Sequence, residues 1–188
     1  MNSKYGIDIW SDGNFFIEDG VAKINHDCKP SIISIVKKIR KQGFKGPLLL
    51  RFPHITKKQI KTLYTTFNSS IKEYDYKGKF NAVFPLKVNQ LPNFVHPLTS
   101  AGKKYNYGLE AGSKAELIIA MTYNNLGSPI TINGFKDKEM IHLCFIAKSM
   151  GHNITIIIEG LNELEMIIEV LNESKLESPN IGLRVRLH

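Results

Sequence analysis

The sequence lacks the features typical of secreted, structural-zinc and membrane-spanning proteins. Its only cysteines, Cys28 and Cys144, lie far apart, so neither a disulfide framework nor a zinc-binding pattern is expected. No apolar run reaches the roughly 18 residues that a membrane span needs, and the first residues contain no apolar signal-peptide core. These absences predict a cytoplasmic protein with free thiols and no membrane partner.

The signatures of common nucleotide-binding and nucleic-acid-binding proteins are missing as well. Neither the glycine fingerprint of a dinucleotide site nor the P-loop pattern occurs where a strand leads into a helix. The net charge is +8, but the lysines and arginines are dispersed along the chain rather than gathered in one basic footprint. A nucleic-acid partner is therefore not predicted. With 43% hydrophobic residues, the 188-residue chain can build one sizeable core.

A short β segment precedes a longer region in which strands and helices alternate. In residues 1–30, the turn pairs Asp12-Gly13 and Asp19-Gly20 flank an apolar run and predict short strands between residues 7 and 24. From residue 31 onward, strands are predicted at 47–52, 81–86, 105–109, 129–132, 153–158 and 181–187. Helices are predicted at 31–42, 56–74, 113–123, 136–150 and 161–174. The polar segment 88–104, rich in proline and glycine, is predicted to be a loop.

This alternation predicts an α/β fold with a parallel sheet, either doubly wound or closed into a barrel. A complete eight-stranded barrel takes about 250 residues. About six βα units in residues 31–188 therefore fit an incomplete (β/α)8 TIM-type barrel. Because the last predicted strand would leave an open sheet edge, we expect the chain to be part of a longer protein.

Reactive side chains follow the predicted strands at the ends where barrel enzymes hold their active sites. Lys87 is either solvated at a strand exit or lies in a cleft, where desolvation lowers its pKa and makes it a nucleophile. Glu110 either pairs with that ammonium and accepts a proton, or is a carboxylate at a helix start. Arg184 and Arg186 share one face of the last strand, and either need an anionic partner or face solvent at an edge.

Other polar residues have plainer structural explanations. Ser113 and Glu116 form a capping box, which is preferred over a catalytic role for either. His54, His96 and His188 lack metal-ligand spacing to another histidine or cysteine, so no metal ligand is identified.

Several segments of the chain, in the right order, resemble the biosynthetic arginine decarboxylases. The resemblance rests first on VFPLKVNQ (83–90), which is similar to that family's cofactor-lysine motif, and on YGLEAGSKAEL (107–117), which looks like its next signature. It extends to the segments 5–20, 132–137, 150–152 and 182–187.

The resemblance implies a pyridoxal 5′-phosphate (PLP) enzyme with an alanine-racemase-like barrel followed by a β domain. It would decarboxylate L-arginine to agmatine, toward putrescine and spermidine. Lys87 would hold PLP as a Schiff base, and Glu110 matches an acidic residue beside that lysine and the cofactor. Arg184 matches an arginine near the cofactor, with Arg186 two residues away on the same face. The resemblance also implies Mg²⁺ and a homo-oligomer whose active sites are shared between subunits.

Substrate-selecting residues, and the partners of the pyridinium nitrogen and the phosphate, are expected beyond His188. The chain by itself should therefore be inactive or bind PLP weakly. Alternatives are a related decarboxylase acting on ornithine, diaminopimelate or carboxynorspermidine, or a non-catalytic PLP-binding barrel protein. The N-terminal β segment argues against the last, because those proteins are bare barrels.

Overall fold

The computed structural model describes residues 4–185 and 187, which fall into two compact units. The first unit runs to Ile55 and the second begins at Thr56. The sequence predicts an N-terminal β segment at residues 1–30 and an incomplete barrel at residues 31–188. The division into two compact units does not test these domain boundaries, which stay a prediction. No helix in the described part of the chain is both long and apolar enough to cross a membrane.

The first unit contains a helical turn, a hairpin and an amphipathic helix. These are α1 (Ile7–Trp10), β1 (Phe15–Glu18), β2 (Val21–Ile24) and α2 (Ile32–Lys41). β1 and β2 pair antiparallel across the predicted Asp19-Gly20 turn, where both residues have positive φ. The Ser31 hydroxyl caps α2 by accepting the Ser34 N–H at 3.1 Å.

Two predictions in the first unit are wrong. Residues Ile7–Trp10, expected to be β structure, form a helical turn in which the Ser11 N–H donates to the Ile7 carbonyl at 3.0 Å. Four residues are too few to separate a turn of helix from a strand by their polarity pattern. The apolar segment 47–52 is irregular rather than a buried strand: Leu49 is 77% exposed, and none of the described residues pairs with the segment in a ladder.

The second unit is a parallel sheet with a helix between each pair of neighbouring strands. Its strands are β3 (Val83–Pro85), β4 (Gly108–Ala111), β5 (Pro129–Ile132), β6 (Asn153–Ile158) and β7 (Asn180–Leu183). Its helices are α3 (Pro53–Glu73), which begins at the end of the first unit, α4 (Pro92–Gly102), α5 (Lys114–Tyr123), α6 (Lys138–Ser149) and α7 (Leu161–Ser174).

The strand order identifies the sheet as part of a barrel. The five strands lie in the order β3-β4-β5-β6-β7, and every neighbouring pair is parallel. A doubly wound sheet reverses its strand order at a switch point, whereas a (β/α)8 barrel adds each strand beside the previous one. The predicted partial barrel is confirmed, with five paired strands in place of the six predicted.

The core lies between the sheet and its helices. In β6 the residues Ile154, Ile156 and Ile158 are buried, while the alternate residues are half-buried. They pack in one apolar cluster with Ile141 and Phe145 of α6, both fully buried. Such close packing makes even a lost methyl costly, about 0.5–1.5 kcal/mol for Ile→Val.

Helix α4 corrects the predicted loop at 88–104. Pro92 occupies the first turn, where a missing N–H costs nothing, and Pro97 lies inside the helix. Val95, Leu98 and Thr99 are buried at helical spacing and supply the packing that outweighs Pro97. The two prolines and the polar residues around them obscured this apolar face in the sequence.

Candidate active site

The carboxyl ends of the five parallel strands carry a row of polar side chains. Lys87 follows β3, Glu110 lies in the last half of β4, Asn133 follows β5, Glu159 follows β6 and Arg184 follows β7. We call these five residues the carboxyl-edge row. Because parallel strands end at the same edge of a sheet, strand order alone brings them to one side.

Lys87 lies in a 3₁₀ turn (Leu86–Val88) that directly follows β3. Leu86 is fully buried and anchors the turn, while the Lys87 side chain is exposed. Two residues before Lys87, Pro85 pairs with Glu110 of β4. The structure thus presents a primary amine to solvent next to the strand that carries the first carboxylate of the row.

Glu110 is oriented by the next strand. Its carboxylate accepts a hydrogen bond from the Asn133 side-chain amide at 2.8 Å, and the Asn133 backbone N–H donates to the Ala111 carbonyl at 3.0 Å. Glu110 is half-buried and lies inside β4 rather than after it, because the strand starts at Gly108 instead of residue 105. Asn133 therefore fixes the direction of the Glu110 carboxylate. The sequence predicted Glu110 as a site residue but did not identify Asn133 as its partner.

Arg184 pairs with Glu159, and its side chain is also half exposed, so it combines the two alternatives left open by the sequence. One guanidinium nitrogen lies 3.0 Å from Glu159 Oε1, and the same oxygen accepts the Gly134 N–H at 2.8 Å. Gly134 N–H, together with Arg184, holds the pKa of the Glu159 carboxyl below its usual range. β7 ends at Leu183, so Arg184 follows the strand instead of lying within it, and its side chain is 51% exposed.

The predicted capping box at Ser113 forms in a modified way. The Ser113 hydroxyl accepts the Glu116 N–H at 3.2 Å, but the Glu116 carboxylate reaches back one residue further, to the Gly112 N–H at 2.7 Å. Its other oxygen accepts the Gln90 side-chain amide at 2.8 Å. Glu116 thereby joins the start of α5 to the segment that follows Lys87.

A buried ion pair joins the loop that follows β5 to the first turn of α7, and it was not identified from the sequence. Lys136 Nζ lies 3.0 Å from Glu163 Oε2, and the two side chains are 0% and 3% exposed. Lys136 immediately precedes Asp137, the N-cap of α6. A cation at the positive end of a helix dipole is unfavourable unless it has a partner, and this was the signal that could have revealed the pair.

The remaining predicted residues lie elsewhere or outside the described residues. His54 is in the first unit, at the start of α3, and His96 is exposed on α4. Arg186 and His188 fall outside the residues that the structure describes. Within the described ranges, no three histidine, cysteine or acidic residues are grouped so that they could hold a metal ion.

Comparison with known proteins gives one family name throughout. The chain is 37% identical to the biosynthetic arginine decarboxylase of Tolumonas auensis, over 97% of the chain and 30% of that protein. It is 36% identical to the Pseudomonas aeruginosa protein of the same name, over 97% of the chain and 29% of that protein. No protein-family model matches.

One solved structure is similar over the whole chain. It is the crystal structure of the biosynthetic arginine decarboxylase of Campylobacter jejuni, with a TM-score of 0.96 and 63% identity. The match covers 100% of this chain and 32% of that one. The chain therefore spans about a third of the length of the relatives it matches.

Proposed function

Because the chain belongs to the biosynthetic arginine decarboxylase family, we propose that the whole protein decarboxylates L-arginine to agmatine with PLP held on Lys87. The product would feed putrescine and spermidine synthesis. The observation that carries the proposal is the place of Lys87, an exposed amine at the carboxyl edge of a parallel barrel sheet, two residues past the partner of Glu110.

The residues of the row fit a carbonyl cofactor. PLP needs a primary amine to hold its aldehyde carbon, and Lys87 offers an exposed one in the turn after β3. When bound, PLP serves as an electron sink for the bond that loses CO₂. Glu110 and Arg184 supply a negative and a positive charge on the same edge of the sheet.

Each residue of the row has a distinct role in the proposal. Lys87 would hold the cofactor through its side-chain amine. Glu110, oriented by Asn133 at 2.8 Å on the strand next to Lys87, would accept or return the proton of that amine. Arg184, held by Glu159 at 3.0 Å and half exposed, would offer its guanidinium to the cofactor. Arg186, outside the described residues, remains a predicted second cofactor contact.

The rest of the site is proposed to come from outside these residues. We expect the pyridinium partner, the phosphate site and the groups that select arginine in the longer protein, so the chain alone should be inactive or bind PLP weakly. We further propose a requirement for Mg²⁺ and a cytoplasmic homo-oligomer with shared active sites, from the family resemblance. Cys28 and Cys144 are both free thiols, which suits that compartment.

Covalent labelling tests the cofactor assignment. The whole protein is incubated with PLP, reduced with borohydride and digested, and mass spectrometry should find the cofactor on the peptide that contains Lys87. Lys87→Ala should abolish labelling. Lys103→Ala is a matched control, since Lys103 also lies exposed in a 3₁₀ turn, one that precedes β4 instead of following a strand. Undiminished labelling of the Lys87→Ala protein would show the assignment to be wrong.

Substrate choice requires a separate assay. CO₂ release is measured from arginine, ornithine, diaminopimelate and carboxynorspermidine with the same protein preparation. Release from arginine well above the other three supports the proposal. Release from ornithine without release from arginine would overturn the substrate while leaving the Lys87 assignment intact.

A further inference from the structure

The buried Lys136–Glu163 pair lies at the centre of a closed circuit of hydrogen bonds. Lys136 Nζ contacts Glu163 Oε2 at 3.0 Å and donates to the Gly134 carbonyl at 2.5 Å. Glu163 also accepts the Lys136 backbone N–H at 3.3 Å and the Glu159 N–H at 2.9 Å. Gly134 N–H then donates to the Glu159 side chain at 2.8 Å, which closes the circuit.

The circuit joins two strand-end loops that are distant in sequence. Gly134 and Lys136 belong to the loop between β5 and α6, while Glu159 lies in the loop between β6 and α7, with Glu163 in the first turn of α7. Apart from the Lys136–Glu163 ion pair itself, every bond in the circuit restrains a backbone group, and one of them also restrains the side chain of Glu159. Among the described residues of the circuit, Glu159 is the one that belongs to the carboxyl-edge row, and it pairs with Arg184 at 3.0 Å.

Packing alone does not account for a charged pair in this place. A well-packed apolar pair of similar volume is often as stable as a buried ion pair, whereas removing one partner leaves an unpaired buried charge. An apolar pair could not hold the Gly134 carbonyl and the Glu159 N–H in fixed directions. The charges therefore provide orientation that an apolar core would not.

We propose that Lys136 and Glu163 are positioning residues, which act through Glu159 to hold Arg184 in its place toward the cofactor. The inference rests on the proposed function, because it gives Arg184 a PLP-binding role. Neither Lys136 nor Glu163 contacts the cofactor in this scheme, since both side chains are buried.

Charge-free replacement of the pair separates positioning from stability. The double variant Lys136→Met with Glu163→Leu, made in the whole protein, removes both buried charges and leaves apolar side chains in their place. We expect its thermal midpoint without PLP to fall, because the Glu159 N–H and the Gly134 carbonyl lose their partners, but we expect the protein to remain folded at the temperature of the binding assay. We expect its PLP dissociation constant to rise roughly 10- to 100-fold, by analogy with the loss seen when groups that orient metal-binding residues are removed.

Two further variants test the route through Glu159 and Arg184. Glu159→Gln leaves the buried pair intact and should weaken PLP binding by a similar factor, even if the double variant fails to fold. Arg184→Met should also weaken binding, and combining it with the double variant should add no more than about two-fold, because both act on the same contact.

An exposed ion pair between the same helices is the matched control. Lys138 of α6 lies 2.7 Å from Glu173 of α7, and both side chains are largely exposed. Lys138→Met with Glu173→Leu should leave the PLP dissociation constant unchanged.

Three results would overturn the inference: wild-type PLP affinity in the folded double variant, wild-type affinity in Glu159→Gln, or full additivity with Arg184→Met. A wild-type protein that does not label at Lys87 would instead overturn the proposed function itself.

Discussion

The Glu116 carboxylate accepts a hydrogen bond from the Gln90 side chain at 2.8 Å, across 26 residues of sequence. Glu116 belongs to the first turn of α5, and Gln90 lies three residues past Lys87. The other Glu116 oxygen accepts the Gly112 N–H at 2.7 Å. A single buried carboxylate thus restrains the loop after the proposed cofactor lysine and the loop after Glu110.

Removal of this carboxylate should destabilise both loops. Glu116→Ala leaves the Gly112 N–H without its partner, and such a loss costs about 1–3 kcal/mol. We expect a lower free energy of unfolding in urea and faster hydrogen exchange at the Gly112 amide. Glu165→Ala, an exposed glutamate two residues past Glu163 on α7, should change stability by less than about 0.5 kcal/mol. Equal effects of the two substitutions would show that the Glu116 contacts contribute little.

Elements bounded by local signals were predictable from the sequence. β5, β6 and α7 have the predicted bounds, because β5 and β6 are short apolar runs and α7 is a longer segment with apolar residues at helical spacing. The carboxyl-edge row was also predictable, since it needs only the chain order of strands and their ends. Predicting the row does not require the conformation of any loop.

Features that depend on distant partners were not predictable. The segment 47–52 has a strand-like composition, but a strand exists only where another strand pairs with it. Tyr105 favours a strand by type, yet it lies in a 3₁₀ turn and stacks on Tyr64 of α3 at 4.9 Å between ring centroids. Two pairings were also beyond the sequence, that of Arg184 with Glu159 and that of Lys136 with Glu163. Both depend on how residues that are distant in sequence are brought together by the fold.

Glu159 should make stability depend on pH in the acid range. Its pKa is lowered in the folded protein from an ordinary value of 4.5, first by the Gly134 N–H and then by Arg184. A lowered pKa contributes stability that is present above the unfolded pKa and lost as pH falls through the folded one. Between pH 7 and 3, the thermal midpoint should therefore fall more for wild type than for Glu159→Gln.

The same titration separates the two causes of the shift. Arg184→Met removes the second cause and keeps the first, so its acid-range loss of stability should lie between those of the wild type and Glu159→Gln. If the three melting curves move together with pH, Glu159 does not contribute as the structure indicates.

The two cysteines should differ sharply in reactivity. Burial raises the pKa of the Cys144 thiol to about 12, and the nearby Lys136 charge offsets only part of that rise. Cys28 is exposed. Because the thiolate is the reactive form, iodoacetamide at pH 8 should label Cys28 in the native protein and leave Cys144 unlabelled until denaturant is added.

Peptide mass spectrometry follows both sites in one digest. Native-state labelling of Cys144 at the rate of Cys28 would contradict the burial of α6 against the sheet.

Gly134 should be intolerant of a side chain for two reasons, one local and one functional. Its φ is +80°, in the left-handed region, where a residue with a Cβ costs about 1–2 kcal/mol. A Cβ would also lie 3.3 Å from the Gly112 carbonyl oxygen. Gly134→Ala should therefore lower the thermal midpoint and turn the Gly134 N–H away from Glu159, which loosens Arg184 and weakens PLP binding.

Gly127→Ala provides the matched control for backbone strain. Gly127 has a φ of +87°, no atom lies within 4 Å of where its Cβ would be, and it precedes β5 rather than following a strand. Both alanine variants should lose stability, because both place a Cβ on a left-handed backbone, and Gly134→Ala should lose more because its Cβ also crowds the Gly112 carbonyl. Only Gly134→Ala should raise the PLP dissociation constant in a binding titration of the whole protein. An equal rise in both variants would mean that strain anywhere in the sheet weakens the site, and that the Gly134–Glu159 contact has no particular role.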